Sequence, residues 1–520
     1  MNYDKRVLMI AAENDALRGA KVGGVADVLR DIPAALTGIG TSVDVIIPSY
    51  GFLARLPDIE ICTEFNVFFG GVNSRVQLFK VPSESGVSNY VLHHPAFAPQ
   101  GEVVYCNDEH QPFATDATKF AFFCLAVAEA LRLGAIARPD VIHCHDWHSA
   151  FLLILLRFAP EYKSFDEIRT VYTIHNLAMQ GVRPFKNDPS SLEAWYPQLY
   201  YDGLQICDTH NPFCVNPMRA AIRLADRVHT VSPTYAEEIL RPSNHPLGIY
   251  GGEGLEGDLQ QRSDAGELIG IINGCEYPKG VRYAAPAKKK LVSVAQESLV
   301  QWASRSPVLA SAHFVASKRL QQWAAKKTRG FNVTFVGRLT EQKAALLVTR
   351  LPSGKLALEE MLDALGDRGQ FIMLGSGSSY LEEAMLKLSG DYENFIFLNG
   401  FSAELSLNIY RYGDLFLMPS SFEPCGISQM LAMRAGQPCL VNGVGGLRDT
   451  VDHQKTGFCF NGENAQAQAQ AMLIEFCRIL SVHESDPKSV KDVGAAAAEV
   501  RFDWQAVAER YVNELYIETN

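Results

Sequence analysis

Two cations stand close together in the stretch FVGRLTEQK, residues 335–343. Arg338 ends a short apolar run that is typical of a buried strand, and Lys343 follows in the next loop or helix. A loop between them can turn both side chains toward one point, where Arg offers a fork of donors and Lys a point charge. The pairing favours a diphosphate ligand, and the alternative is an ordinary loop with solvated charges.

An acidic residue and a pair of glycines mark the stretch from residue 419 to residue 451. Glu423 lies in a Pro- and Gly-containing loop before a helix, where a carboxylate is electrostatically favoured, as a ligand-binding group or as a capping acid. Gly445 and Gly446 open the following helix. No second carboxylate stands at helical spacing, since the position eight residues on is Leu431. This weakens a hydrolase with paired carboxylates.

A second pair of glycines occurs near the start of the chain, in AKVGGVADVLRDIPAAL. Apolar residues at helical spacing predict a helix that begins near Val25. Gly23 and Gly24 would let the backbone approach a ligand, with free N–H groups and the positive helix end facing a phosphate. Lys21 adds a mobile positive charge beside them. The alternative is a plain glycine turn before a helix.

Three histidines and an aspartate lie within VIHCHDWHSAF. His143 and His145 share one face of a predicted strand, whereas Asp146 and His148 fall in the turn that follows. No thiol or carboxylate partner stands at standard zinc spacing, so a sugar-binding carboxylate at the strand end is the favoured interpretation of Asp146. His175, in TIHNLAMQG, occupies the same kind of strand-end position, and a buried structural histidine is the alternative.

These residues must be positioned by strands that alternate with helices along most of the chain. Such alternation predicts parallel sheets with helices on both faces, and the two series of strands predict two Rossmann-like lobes. Ligands of these folds bind beyond the carboxyl ends of the strands, which is where the polar residues above are found. The division falls between about residues 275 and 330, which contain prolines and a triple lysine but no convincing strand.

Composition and charge exclude several classes of protein. The 520 residues are 47% hydrophobic and 20% charged, which excludes a mostly disordered chain. The formal charge is −11 and no long basic run occurs, so we expect no nucleic-acid or membrane-surface partner. Eleven scattered cysteines, the absence of a signal-peptide pattern and the absence of a long apolar span predict a cytoplasmic protein with reduced thiols.

Taken together, the motifs resemble those of bacterial glycogen synthases and plant starch synthases, in the same order. The series runs from residue 20 to about residue 452, and a terminal stretch, FDWQAVAERYVNELY, resembles the last helix of that family. Several motifs in order are more specific than any one alone. The matching stretches are KVGGVADV, HCHDW, YTIHNLAMQG, VSPTYAEEI, GIING, GRLTEQK, SSFEPCG and VGGLRDTV.

The resemblance implies an α/β protein of the GT-B fold, in which two Rossmann-like lobes face each other across a cleft. It further implies transfer of glucose from ADP-glucose to the 4-OH end of an α-1,4-glucan, with retention of configuration and without a cofactor or metal. The implied domains are a first lobe at residues 1–275, a connecting segment at 276–330, a donor-side lobe at 331–495 and a terminal helix at 496–520 that returns to the first lobe.

The resemblance also assigns roles to residues, by motif. Lys21, Gly23 and Gly24 would meet the diphosphate side of the donor, and Arg338 and Lys343 would stabilise the leaving ADP. The remaining implied residues contact the transferred sugar or its phosphate, with His175 near the reacting carbon; they are Asp146, His175, Asn273, Glu423, Gly445, Gly446 and Leu447.

The chain departs from the usual family motifs at several positions. Val22 replaces a threonine, Ser421 an arginine and Ala344 a glycine, while Arg448 puts a positive charge after the second glycine pair instead of before it. The diphosphate cations and Glu423 are retained, which favours intact transfer chemistry. Two alternatives stay open: a related retaining transferase with another nucleotide-sugar or acceptor, and a non-catalytic glucan-binding or regulatory relative.

Overall fold

The structure is a computed structural model that describes residues 5–278, 280, 283–305 and 310–517. The chain divides into two compact units. The first comprises Met1–Ser243, Gly251–Gly274 and Asp503–Asn520, and the second comprises Asn244–Tyr250 and Cys275–Phe502.

Seventeen strands are found in the described residues, eleven in the first unit and six in the second. In the first unit they are β1 (Arg6–Ile10), β2 (Ser42–Pro48), β3 (Glu60–Phe69), β4 (Val72–Val81), β5 (Ser88–His93), β6 (Val141–His145), β7 (Arg169–Ile174), β8 (Arg183–Pro184), β9 (Cys214–Val215), β10 (Arg227–Thr230) and β11 (Leu268–Gly270). In the second unit they are β12 (Phe331–Val336), β13 (Gly369–Gly375), β14 (Phe395–Asn399), β15 (Leu415–Met418), β16 (Cys439–Asn442) and β17 (Gly457–Phe460).

Nineteen α-helices are found in the described residues, and the last of them belongs to the first unit. The first eight, also in the first unit, are α1 (Gly24–Gly38), α2 (Ala114–Arg132), α3 (Asp146–Phe158), α4 (Leu192–Trp195), α5 (Gly203–Ile206), α6 (Pro217–Leu224), α7 (Pro233–Glu238) and α8 (Glu256–Asp264). The others are α9 (Lys288–Ser304), α10 (Ser311–Ala325), α11 (Glu341–Val348), α12 (Ala357–Leu365), α13 (Ser379–Asp391), α14 (Ala403–Tyr412), α15 (Ser428–Arg434), α16 (Gly445–Thr450), α17 (Ala465–Ser485), α18 (Pro487–Glu499) and α19 (Trp504–Arg510).

The first unit is built on a nine-stranded sheet in the order β11-β10-β7-β6-β1-β2-β5-β4-β3. The strands from β11 to β5 pair in parallel, as the alternation of strands and helices predicts. Apolar residues of α2, α3 and α6 cover one face of the sheet, and those of α1 and α19 cover the other. The carboxyl ends of β1, β6 and β7 therefore lie side by side at one edge of the sheet.

The antiparallel strands β3, β4 and β5 extend this sheet, and the sequence interpretation missed them. A two-residue turn, Gly70-Gly71, joins β3 to β4 with φ angles of 58° and 79°. Positive φ at both central positions is what a tight hairpin turn requires, and glycine supplies it without strain. Phe65, Val67 and Val76 are buried while their neighbours are exposed or half-buried, so a Gly-Gly pair flanked by alternating residues was the available signal.

The terminal segment packs into the first unit, against the sheet face that α1 also covers. Trp504 begins α19, and the π-helical turn Tyr511–Tyr516 follows it. Tyr511 and Tyr516 are fully buried, and the Leu515 carbonyl accepts a hydrogen bond from the Arg169 Nε, 2.6 Å away.

The second unit contains a fully parallel six-stranded sheet in the order β14-β13-β12-β15-β16-β17. Helices α11, α12, α13 and α17 pack on one face, and α9, α10 and α14 pack on the other. Strands buried on both faces explain the continuous apolar runs in this half of the sequence. Because β12 and β15 are neighbours, the loops that follow them lie close together.

The segment predicted to connect the lobes, 276–330, holds α9 and α10, whose apolar faces belong to the core of the second unit. Within the segment, residues 279, 281–282 and 306–309 lie outside the described part of the chain, as do 1–4 and 518–520 at the ends of the predicted domains.

The apolar stretch at residues 120–137 is interrupted by Glu129 and Arg132. Most of it forms the end of α2, whose side chains pack in the core of the first unit. Across the described residues, we find no helix with both the length and the apolar character needed to cross a membrane.

Candidate active site

An ion pair between Lys343 and Glu423 forms the centre of the candidate site in the second unit. Lys343 projects from the first turn of α11, and Glu423 lies in the loop after β15, 80 residues further along the chain. Pairing of β12 with β15 brings these two segments together. The Glu423 side chain is 7% exposed and that of Lys343 is 18% exposed. Glu423 also accepts a hydrogen bond from the Ser420 hydroxyl at 3.0 Å.

Hydrogen bonds from Gln342 hold the Glu423 loop in place. The Gln342 carbonyl accepts the Ser421 N–H at 2.8 Å, and its side-chain amide donates to the Phe422 carbonyl at 3.1 Å. Ser421, which replaces the arginine of the usual motif, is buried. Neither of these two hydrogen bonds uses the side chain at position 421.

Arg338 differs from Lys343 in its surroundings. It is exposed just after β12, and its guanidinium makes no ion pair with any residue that the structure describes. A cation at a strand end that is not neutralised by the protein remains available to an anionic ligand.

The glycine pair at 445–446 is used mainly to shape the loop. The Gly446 N–H donates to the Glu423 carbonyl at 3.0 Å, and the Leu447 N–H donates to the Val444 carbonyl at 3.1 Å. A Cβ at Gly446 would lie 2.3 Å from the Cys425 carbonyl oxygen, so only glycine fits there. The backbone N–H groups of Gly446 and Leu447, expected to contact the sugar and phosphate, are thus already hydrogen-bonded, while Gly446 ties α16 to the Glu423 loop.

In the first unit, the Glu13 carboxylate accepts hydrogen bonds from backbone N–H groups in the turn that precedes α1. Glu13 follows β1, is 2% exposed, and accepts the N–H groups of Val22 and Gly23, each at 2.6 Å. Its other oxygen accepts the Tyr105 hydroxyl at 2.6 Å. The free N–H predicted at Gly23 is therefore taken in this structure. Gly24, where α1 begins, has open space around the position of a Cβ.

Lys21 is held by two aspartates. Its ammonium lies 2.5 Å from Asp27 and 3.2 Å from Asp15. Burial alone would lower the pKa of Lys21, but the hydrogen bonds and charges of the two aspartates raise it overall. The lysine is therefore a fully charged group whose ion pairs an anionic ligand would have to replace, and not the unattached charge that the sequence suggested.

Asp146 lies at the junction of β6 and α3 with a φ of 54°, in the left-handed region. One of its carboxylate oxygens accepts the backbone N–H of His175, 2.8 Å away. Burial raises its pKa to about 7, against the smaller lowering effect of the backbone N–H groups of His175 and Asn176. Two residues 29 positions apart, both predicted to bind the sugar, are thus brought into contact.

His175 belongs to a buried group of histidines at the ends of β6, β7 and β10. Its Nε2 lies 3.0 Å from Nδ1 of His145. Burial lowers the pKa of His175 and of His143 to about 3, so both rings are neutral at physiological pH. The described residues contain no cluster of three or more His, Cys, Asp or Glu side chains that could hold a metal ion.

Asn273 follows β11 and is 4% exposed. Its side-chain oxygen is buried and has no hydrogen-bond partner among the described residues. A buried acceptor without a partner costs free energy unless a ligand or water satisfies it. The next residue, Gly274, lies against Trp504, where a Cβ would be 2.4 Å from the indole.

Sequence reasoning missed three residues that contact candidate site residues within their own units: Glu13 and His145 in the first unit and Ser420 in the second. Glu13 is the polar residue that follows the first strand, and a polar residue at such a strand end is the usual signal of a ligand-binding position. His145 was considered only as a metal ligand. Nothing in the sequence distinguishes Ser420 from its neighbour Ser421.

Comparison with known families supports a glycosyltransferase. Residues 6–261 match the starch synthase catalytic domain, and residues 330–474 match the glycosyl transferases group 1. The first match lies in the first unit except for Asn244–Tyr250, which belong to the second unit, and the second match lies in the second unit. Both units are therefore glycosyltransferase domains.

Relatives that align with nearly the whole chain identify one family within the glycosyltransferases. The chain is 31% identical to a glycogen synthase of Yersinia enterocolitica, over 98% of this chain and 99% of the relative. It is 33% identical to a glycogen synthase of Gloeobacter violaceus, over 88% and 87% of the two chains. The chain belongs to the glycogen synthase family.

A solved structure agrees with this assignment. The catalytic domain of starch synthase IV from Arabidopsis thaliana, bound to ADP and acarbose, is 27% identical and superposes with a TM-score of 0.76. The alignment covers 99% of each chain. The family resemblance, the fold class of two α/β units with parallel sheets, and the assignment to the hexosyltransferases are thus confirmed.

Proposed function

We propose that this hexosyltransferase moves glucose from ADP-glucose to the non-reducing 4-OH end of an α-1,4-glucan such as glycogen, with retention of configuration. The observation that carries the proposal is the pairing of Lys343 with Glu423, next to the exposed Arg338, after two neighbouring parallel strands. The related starch synthase IV domain was solved with ADP and acarbose, a nucleotide and an oligosaccharide analogue.

On the donor side, Arg338 and Lys343 would stabilise the diphosphate as it leaves with additional negative charge. Preorganised cations act strongly in a site from which water is excluded, because they need not reorient during the reaction. Glu423 fixes the position of the Lys343 ammonium through their ion pair. Its remaining oxygen would bind a hydroxyl of the transferred glucose.

On the sugar side, Asp146, His175 and Asn273 supply hydrogen-bonding groups. Because burial holds the pKa of His175 at about 3, its ring acts as a neutral hydrogen-bond partner and not as a charged acid. The unpartnered oxygen of Asn273 is an acceptor for a sugar or nucleotide hydroxyl. Lys21, released from Asp15 and Asp27, would meet the diphosphate beside Gly24.

We also infer that the reaction proceeds without a metal and in the cytoplasm. Arg338 and Lys343 would supply positive charge of the kind that a divalent cation supplies in other transferases, and Lys21 is a further candidate cation in the first unit. All eleven cysteines are free thiols, which suits a reducing compartment.

The test is a donor panel. The purified chain is incubated with glycogen and, separately, ADP-glucose, UDP-glucose and GDP-glucose, and the released nucleotide is measured. We expect ADP-glucose to be used far faster than the others, and the new linkage to be α by NMR of the anomeric proton. If UDP-glucose is used faster than ADP-glucose, then ADP-glucose is not the preferred donor and this part of the proposal is wrong. Release of no nucleotide from any donor, with glycogen binding retained, would favour a non-catalytic relative.

A further inference from the structure

His145 and His175 form a pair of buried rings in the first unit that meet edge to edge. Their ring centroids lie 5.3 Å apart at an interplanar angle of 29°, and a single hydrogen bond joins Nδ1 of His145 to Nε2 of His175 at 3.0 Å. His145 is 1% exposed and His175 is 8% exposed. Only one of the two bonded nitrogens carries the hydrogen, because burial keeps both rings neutral.

The position of the His145 ring is determined by its surroundings. Its other side stacks on His143, with centroids 4.3 Å apart, and His143 is in turn hydrogen-bonded to Tyr516 and Thr173. The second ring nitrogen of His145, Nε2, is buried and has no hydrogen-bond partner among the described residues. The ring is therefore fixed in place, and its only side-chain hydrogen bond to a described residue is the one to His175.

Two proton arrangements are compatible with this geometry. If His175 donates from Nε2, then His145 carries its hydrogen on Nε2, where a buried N–H points at no acceptor. If His145 donates from Nδ1, its Nε2 is a bare lone pair and His175 carries its hydrogen on Nδ1. Buried donors without a partner are rarer in proteins than buried acceptors without one, which favours the second arrangement.

We propose that His145 is a positioning residue that donates its Nδ1–H to His175 and thereby keeps the His175 hydrogen on Nδ1, as a donor toward an oxygen of the transferred sugar. The role of this donor in transfer rests on the proposed function, whereas the proton arrangement itself does not. The tautomer of one ring is set by the bond that its other nitrogen makes, so loss of His145 releases His175 to populate both tautomers.

The direct test measures the proton positions in the wild-type protein. The chain is labelled with ¹⁵N-histidine, and solid-state NMR at neutral pH separates protonated from bare ring nitrogens. Subtraction of the spectrum of His175→Gln assigns the His175 signals among the 13 histidines. We expect a protonated Nδ1 and a bare Nε2. A protonated Nε2 on His175 would overturn the proposal without any assay of activity.

Substitutions then test the consequence for transfer. His145→Leu removes the donor, and we expect kcat to fall about tenfold or more with little change in the donor KM, because an orienting bond acts mainly in the transition state. His145→Asn should restore most of the turnover, since the amide nitrogen of Asn is as many bonds from Cα as Nδ1 of His. Equal loss of kcat in both variants would contradict a role through hydrogen donation.

His229→Leu is the matched control. His229 is also fully buried, bonds through Nδ1 to the Thr173 hydroxyl at 2.9 Å, and has an unpartnered Nε2 among the described residues, but it makes no bond to His175. We expect a loss of thermal stability similar to that of His145→Leu and an unchanged kcat. If both variants lose turnover equally, the effect is one of packing and the proposal fails. If the wild type transfers no glucose to glycogen, the proposed function fails while the NMR result still decides the tautomer.

Discussion

Lys343 and Arg338 are predicted to serve the same step but to differ in what their loss does to folding. Lys343→Ala leaves the Glu423 carboxylate, 7% exposed, with only the Ser420 hydroxyl as a side-chain partner among the described residues. Arg338→Ala removes an exposed side chain that pairs with no described residue. Both substitutions should lower turnover, and only the first should destabilise the second unit.

The magnitudes follow from this difference in burial. Removing one partner of a buried ion pair costs about 3–5 kcal/mol, and the 18% exposure of Lys343 places the cost of Lys343→Ala at about 3 kcal/mol. For a unit of this size, that corresponds to a fall in Tm of roughly 6–12 °C. Arg338→Ala should change the free energy of unfolding by less than about 0.5 kcal/mol. Each should lower kcat on the order of 10²–10³, as for other preorganised charges.

The assays are calorimetry of the ligand-free variants and kcat with saturating donor. Lys355→Ala is the control for loss of a lysine ion pair, because its partner Asp363 is 44% exposed and such a pair contributes little. The double variant Lys343→Ala, Glu423→Gln should recover most of the lost stability, since a neutral amide replaces the unpaired buried charge.

Two results would refute this reasoning. If Lys343→Ala and Lys355→Ala have the same Tm, the ion pair between Lys343 and Glu423 contributes nothing measurable to the stability of the fold. If Lys343→Ala loses less than about tenfold in kcat, Lys343 is not part of the catalytic set.

Three further predictions concern the protonation of Asp146, the two glycine turns and metal dependence. Folding raises the pKa of Asp146 from 3.8 to about 7, so the folded chain keeps a proton that the unfolded chain has lost, and stability falls as pH rises between these values. Asp146→Asn stays neutral, and its Tm relative to wild type should therefore be higher at about pH 8 than at about pH 5; a constant difference would contradict the raised pKa. Gly446→Ala places a Cβ 2.3 Å from the Cys425 carbonyl and should lower Tm sharply, whereas Gly24→Ala meets open space and should keep its Tm while losing donor affinity; normal donor affinity in Gly24→Ala would remove that turn from the donor site. Transfer should persist after exhaustive chelation with EDTA, and inhibition reversed by Mg²⁺ or Mn²⁺ would contradict the account based on Arg338 and Lys343.

Much of the fold could be predicted because it depends on local patterns. The continuous apolar runs at β1, β12 and β15 predicted buried strands, and the helical spacing after Gly24 predicted α1, since a face is buried or exposed according to residues only a few positions away. The antiparallel extension was missed, although alternation around Gly70-Gly71 is equally local. The signal for these two extra strands is therefore present in the sequence.

The sequence by itself also identified most of the residues that could do chemistry, because in parallel sheets the ends of the strands are where ligands bind. Asp146, His175, Arg338 and Glu423 all stand at such ends, and the order of their motifs identified the family.

Only the tertiary structure decided which of these residues meet and which groups are already satisfied. Lys343 meets Glu423 because β15 pairs with β12, Glu13 takes the N–H of Gly23, and His145 reaches His175 across two neighbouring strands. The positions of these residues in the sequence do not show that they are close in space. Their contacts depend on the order of the strands in the sheet, and that order is set by the packing of the whole unit. For the same reason a proton position on His175 depends on a ring 30 residues away.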